Sequence, residues 1–148
     1  MKLSTELDKT NNLVNLIHEE NLGSTPVVPV FLKEYANLID QGFAYKYLVA
    51  TNKSNVIYAE IENKVAGFII FDFHDDVAKT CWVIFGSVVE GFRQRGLYKM
   101  MHMHLEKIAK DNGSSQVFSF VHVNNHRMLE VSKQLNKHPA FYRVEKYL

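Results

Sequence analysis

The chain has 148 residues, 47% of them apolar and 22% charged, enough for one domain with its own core. Lys plus Arg is 17 against 16 for Asp plus Glu, a net charge of +1, which supplies no general attraction for nucleic acid or an anionic membrane. The one cysteine excludes an internal disulfide and a cysteine-rich zinc site; no run of about 18 apolar residues offers a bilayer span, and Met1-Lys2-Leu3-Ser4-Thr5-Glu6 has no apolar signal core, so a soluble cytoplasmic domain is expected.

Residues 7–20 carry Leu7, Leu13, Val14, Leu16 and Ile17 among polar residues, with Gly23 beyond. The spacing predicts a short amphipathic helix. Pro26 and Pro29 mark a connector, and from Phe31 the apolar residues recur at helical spacing until Gly42. The texture then changes to strands. Tyr47 to Ala50 is a short apolar run, and Val56–Ile61 and Val65–Phe73 are rich in β-branched and aromatic residues. Only Glu62-Asn63-Lys64 lies between those two, which predicts a tight hairpin with Asn63 at positive φ. A further strand is expected over 79–89.

After Gly91 the period is helical again. Leu97, Met100, Met101, His104, Leu105, Ile108 and Ala109 line one face, and Asp111-Asn112-Gly113 ends the helix. Gln116–Val123 reads as a strand, Asn125–Leu135 as a helix and Ala140–Leu148 as a last strand. Consecutive hairpins followed by strand–helix–strand units predict an α/β fold, a mixed and largely antiparallel sheet flanked by helices.

The informative stretch is Val88-Val89-Glu90-Gly91-Phe92-Arg93-Gln94-Arg95-Gly96-Leu97-Tyr98. A strand ends, a turn carries two arginines and two glycines, and a helix begins. Free N–H groups at a helix start make an anion site. Gly96 lets the backbone approach a phosphate, and Arg93 and Arg95 add charge. No Gly-Lys-Ser/Thr follows, and the glycine spacing is not that of a dinucleotide fingerprint. The bland alternative is a tight strand–helix turn with solvated arginines.

These residues resemble the GNAT superfamily of acyl-CoA-dependent N-acetyltransferases. Its signature is Arg or Gln, two free positions, Gly, one free position, then Gly or Ala. Arg93, Gln94, Arg95, Gly96 and Leu97 fit it, and Tyr98 departs from the final small residue. Ala59–Phe68 resembles the family's second-to-third strand hairpin. Val121 followed by Asn125-His126-Arg127-Met128 resembles its fifth strand and the Asn-started helix after it, and Leu135-Asn136 stands where Leu-Gly is usual. The resemblance covers roughly residues 45–148.

The resemblance implies a GNAT-like fold in which the fourth and fifth strands splay and the pantetheine arm of acetyl-CoA lies in the gap. Val88 and Val89 would offer it backbone hydrogen bonds. Amides from Gln94 through Leu97 to Tyr98 would hold the diphosphate, and Asn125 would bond the pantetheine or the turn beside it. A neutral amine would attack the thioester, with an N–H near Val88 stabilising the oxyanion. The family's usual thiolate acid is a tyrosine seven residues after the Asn, a position held here by Ser132. Tyr142, Tyr98 or a water are the substitutes. The mid-strand glutamate that serves as base in some members has no counterpart, which leaves Glu90 at the mouth of the loop and His122 near the end of the fifth strand as candidates.

Other polar residues have plainer readings. His102 and His104 point to different faces, with His104 on the apolar stripe as a hydrogen-bonded core histidine. His122, His126 and Glu130 lie near one junction, but the chain changes direction between them, so no metal site is expected. Asp75 and Asp76 read as a solvated turn, and Cys81 as a buried, inert thiol. The expected organisation is a single domain, 1–148, with a helical part over 1–44 that shapes the acceptor side and an acetyl-CoA-binding core over 45–148. The expected activity is acetyl transfer from acetyl-CoA to a primary amine of a small molecule. A polypeptide acceptor, lysine or N-terminal, is the alternative, and a non-catalytic CoA-binding module the third. Homodimer pairing through the terminal strand, Phe141 to Leu148, is an expectation by analogy.

Overall fold

The structure is a computed structural model that describes residues 1–43, 50–74, 79–140, 144–146 and 148. Its elements are β1 (Lys2–Leu7), β2 (Leu13–Glu19), α1 (Val27–Asp40), β3 (Asn55–Ile61), β4 (Lys64–His74), β5 (Thr80–Val88), α2 (Leu97–Asp111), β6 (Gln116–Ser119) and α3 (His126–Gln134). The strands form a six-stranded sheet in chain order, β1 to β6. All neighbours are antiparallel except β5 and β6, which run parallel. The α/β architecture expected from the sequence is therefore present.

The first expected helix is not. Residues 2–19 form a hairpin, with Leu7 paired to Leu13 and Glu6 to Val14. Two features outweigh the helical spacing. The segment Asp8–Asn12 is a turn closed by the Asp8 carboxylate, whose Oδ1 accepts from the Thr10 N–H (2.7 Å), the Thr10 hydroxyl (2.8 Å) and the Asn12 N–H (3.0 Å). Val14 and Leu16, two apart, are both fully buried while Leu13 is 65% exposed. Burying two such side chains contributes about 1.5–3 kcal/mol each, more than helix propensity offers at any one position. Residues 1–43 thus hold a hairpin followed by the helix α1.

The hairpin between β3 and β4 is as expected. Ile61 pairs with Lys64 across a two-residue turn, and Glu62 and Asn63 both take positive φ, 50° and 63°. The expected short strand at Tyr47–Ala50 lies outside the described residues apart from Ala50, which is not in a strand; Asp75 and Asp76 also lie outside them. The strand expected over Gln116–Val123 stops at Ser119. Of the expected final strand, residues 141–143 and 147 lie outside the described set, and the described Ala140, Val144, Glu145, Lys146 and Leu148 are not in a strand.

The two faces of the sheet carry separate cores. On one, α2 lays Leu97, Met101 and Leu105 over Ile57, Ile69 and Phe71. On the other, Val27 and Phe31 of α1 pack on Tyr58, Phe68, Ile70 and Phe85. Being covered on both faces, β3 and β4 read as nearly continuous apolar runs. The buried histidine of α2 is His102, 2% exposed, and not His104 as expected. His102 falls four residues from Tyr98 and three from Leu105, on the core side, whereas His104 reaches Glu6 (2.9 Å) and Ser4 (3.1 Å) at the rim.

Candidate active site

A β-bulge sets the site. Phe85 pairs with Ile70 but Val83 pairs with Phe71, so Ile84 is an extra residue in β5. The insertion turns the strand over: Val83 faces the α2 core and Phe85 the α1 core. The pairing of β5 with β6 ends at the same place, Val83 with Ser119. Beyond it, residues 84–88 keep β4 on one side and have no strand partner on the other among the described residues.

The hydrogen-bond alternation of a strand then decides what faces the opening. The Val89 N–H is spent on the Ala66 carbonyl (2.9 Å). The N–H and C=O of Val88 and Gly86 therefore point to the edge that β6 has left. The Val88 carbonyl is taken there by Arg93 Nε (2.9 Å). Its N–H faces the gap. Val89, expected to share that role, instead bonds Ala66 and accepts from the Phe92 N–H (3.0 Å).

The loop 89–96 follows at once. Gly91, Gln94 and Gly96 take positive φ, at 94°, 64° and 82°. Such alternation turns successive N–H groups toward one concavity, an arrangement suited to anions. Gly96 is the N-cap of α2 and makes no side-chain cap bond. The first N–H groups of a 15-residue helix, with Leu97 and Tyr98 leading, thus open onto the loop.

The two arginines do not reach outward as a pair of free charges. Arg95 bonds the Gly91 carbonyl (3.1 Å), approaches Asp8 (3.6 Å) and lies over the Phe92 ring (5.3 Å). Burial alone would raise the Asp8 carboxyl, but the bonds from Asn12 and Thr10 and the Arg95 charge outweigh it and hold the group below its ordinary range. Arg93 turns the other way, to Val88 and to within 3.9 Å of Glu34 Oε2. The outward charges are Lys9 and Lys99. They line a groove with Leu7, Asp8, Arg95 and Gly96 beside the loop. The Lys9 N–H also bonds the Arg95 carbonyl (3.2 Å).

Tyr98, the departure from the family's small residue, is buried. Its ring lies against Gly86, where an added Cβ would meet the Tyr98 hydroxyl at 2.8 Å. The aromatic is therefore accommodated by a missing side chain in β5. Burial pushes its phenol well above the usual range.

The remaining candidates are dispersed. Asn125 caps α3, its Oδ1 accepting from the Met128 N–H (3.3 Å). Ser132 lies in α3 with a buried Oγ that has no hydrogen-bond partner among the described residues. His122 is exposed, its Nδ1 accepting from the Asn124 N–H (3.1 Å) and its ring near Phe43 (5.7 Å). Glu90 is exposed on the turn, and Tyr142 lies outside the described residues. Cys81 is buried, and burial pushes its thiol up to about 12. Among the described residues no three of His, Cys, Asp and Glu come together as metal ligands.

Sequence reasoning missed one group at the opening. Glu34 of α1 is 9% exposed, and its Oε2 accepts from the Ser87 hydroxyl (3.2 Å). Ser87 is the neighbour of Val88. Arg93 approaches Glu34 from the loop, and Arg127 of α3 shares their field. Burial and the Arg93 charge press Arg127 below the usual guanidinium range, and Glu34 opposes them. The signal was available: Val27, Phe31, Glu34 and Leu38 recur at helical spacing, which puts a carboxylate on the apolar stripe.

No curated protein matches the sequence. Solved structures do match the fold. An aminoglycoside acetyltransferase from an uncultured soil metagenomic sample superposes with a TM-score of 0.71 at 13% identity, over 91% of this chain and 95% of that one. A ribosomal-protein-alanine N-acetyltransferase from Brucella melitensis biovar Abortus 2308 gives 0.70 at 14%, over 91% and 99%. An aminoglycoside N-acetyltransferase in complex with CoA gives 0.68 at 16%, over 99% and 96%. No helix among the described residues is long and apolar enough to cross a membrane. The model of the acetyltransferase (GNAT) family matches residues 15–136, and the chain belongs to that family.

Proposed function

We propose that this protein transfers an acetyl group from acetyl-CoA to a primary amine of a small molecule. One observation carries the reading. The strand β5 loses β6 at Val83, the Val88 N–H faces the opening, and the loop 89–96 with its three positive-φ residues follows directly. An opening lined by strand backbone fits an extended amide-bearing arm, which can add to a strand edge. A concavity of N–H groups at a helix start fits a diphosphate.

In this reading the amides of Gln94, Arg95, Gly96, Leu97 and Tyr98 hold the diphosphate, with Lys9 and Lys99 beside them. Gly86 and Val88 bond the pantetheine arm, and Asn125 orders the start of α3 next to it. The acetyl thioester supplies the electrophilic carbonyl. The Val88 N–H stabilises the oxygen charge as it develops, and Arg93 steadies the strand end by holding the Val88 carbonyl of the peptide that follows. Ser132 is a weak acid, so the thiolate takes its proton from solvent rather than from a tyrosine.

The acceptor reading is supported by the aminoglycoside acetyltransferases among the similar structures; the protein acetyltransferase among them supports the alternative of a polypeptide acceptor. Thiol release from acetyl-CoA, measured with sisomicin, with benzylamine and with a peptide bearing an N-terminal alanine, decides between them. Faster release with the small amines is expected. Release with the peptide alone favours the alternative, and acetyl-CoA binding without release on any acceptor leaves a CoA-binding module.

A further inference from the structure

We infer that Glu34 is the base that receives the acceptor's proton, taking from α1 the role that no carboxylate in β5 can fill. The inference rests on the acetyl-transfer reading above.

The geometry is specific. The Glu34 carboxylate is carried across the sheet face to β5, where the Ser87 hydroxyl holds Oε2 at 3.2 Å. Ser87 precedes Val88, so the carboxylate sits one residue from the N–H that faces the opening. The bulge at Ile84 makes this meeting. By turning β5 over it sends Phe85 and Ser87 to the α1 side, where Phe85 packs on Phe31 (5.3 Å between rings), one turn before Glu34. Of the two candidates read from the sequence, Glu90 is exposed on the turn and His122 is exposed beyond the end of β6. Of these three groups Glu34 is the buried one.

The charges around it suit the task. Arg93 faces Glu34 from the loop at 3.9 Å, and the charge of Arg127 in α3 is felt by the same carboxylate. At 3.9 Å the Arg93 approach is longer than a hydrogen bond, so neither carboxylate oxygen is tied up in a bidentate pair. Two guanidiniums and one carboxylate leave the local charge positive. An ammonium entering it is destabilised relative to its neutral amine, which favours proton loss.

The step balances. An ammonium N–H proton passes to Glu34, directly or through one water, and frees the nitrogen lone pair. That pair forms the C–N bond to the thioester carbonyl, the C–S bond breaks, and the electron pair leaves with the thiolate. The second nitrogen proton leaves as the amide forms, and solvent protonates the thiolate.

The test is the pH profile of kcat/KM for benzylamine and sisomicin in the wild type and in Glu34→Gln, with acetyl-CoA affinity by calorimetry and melting temperature alongside. Glu34→Gln is expected to bind acetyl-CoA as the wild type does and to lose roughly 100-fold or more in rate near neutrality. The gap should close as the pH approaches the amine's own pKa, where the acceptor arrives neutral. A loss of the same factor at every pH, or no loss, overturns the assignment of the base. If Glu34→Gln does not fold, Glu34→Asp decides: a lowered rate with the wild-type profile is expected, and a wild-type rate overturns the proposal. A wild type that binds acetyl-CoA yet acetylates neither amine overturns the transfer reading itself.

Discussion

Tyr98 of α2 occupies the space that Gly86 of β5 leaves empty: a Cβ on Gly86 would stand 2.8 Å from the Tyr98 hydroxyl and 2.9 Å from its ring. The pair explains how a bulky residue fits where relatives carry a small one. The ring goes into the sheet, not toward the loop.

Gly86→Ala should therefore cost about 1–3 kcal/mol through overpacking, read as a lowered melting temperature. Tyr98→Ala should also destabilise, by opening a cavity. The double variant should cost clearly less than the two losses added, because the clash and the cavity cancel. Strict additivity in chemical denaturation would show that the two side chains are not coupled.

Arg93 holds the Val88 carbonyl, and its guanidinium is the only one among the described residues that bonds this strand end. Arg93→Ala should lower kcat roughly tenfold or more, the worth of a hydrogen bond from a charged donor, while acetyl-CoA affinity changes little. Calorimetry beside steady-state kinetics separates these. A weakened affinity with unchanged kcat would move Arg93 to the phosphate side.

Lys9 lies over Gly96, with its Cε 3.4 Å from where a Cβ would stand. Lys9→Glu should weaken acetyl-CoA binding about tenfold at low salt, and the difference should shrink near 1 M salt, where charges are screened within about 3 Å. An affinity that is independent of this charge at both salt levels removes the groove from the phosphate site.

His102 binds its proton less readily folded than unfolded, because burial and then the Lys137 charge disfavour the cation against the opposing Glu106. The unfolded chain takes up the extra proton as pH falls below the ordinary value of 6.5. Stability present above that pH is lost as it falls toward the depressed folded value. The melting temperature should drop as the pH falls below about 6.5, and His102→Leu should flatten that drop. A variant as acid-sensitive as the wild type would place the sensitivity elsewhere.

What could be read from the sequence divides along physical lines. The loop 90–98, the two-residue turn at Glu62-Asn63 and the apolar stripe of α2 announce themselves, because turn chemistry and period are local. The hairpin over 2–19 does not. Leu13, Val14, Leu16 and Ile17 satisfy both periods, and the choice falls to a sheet edge supplied by β3, some forty residues on. The bulge at Ile84 is hidden within an apolar run. Glu34 was visible as a polar residue on a greasy stripe, but its partner, Ser87, is 53 residues away and reaches it only because of that bulge.

The bond from the Lys9 N–H to the Arg95 carbonyl has a consequence for how the molecule assembles. The loop that looks like a self-contained motif is closed by a turn far upstream of it, so its shape depends on a long-range contact and not on local sequence alone. A fragment beginning near residue 45 would keep every letter of the motif and lose its outer wall. The beginning of the chain, which looked free to specialise in choosing an acceptor, is tied to the loop that precedes α2.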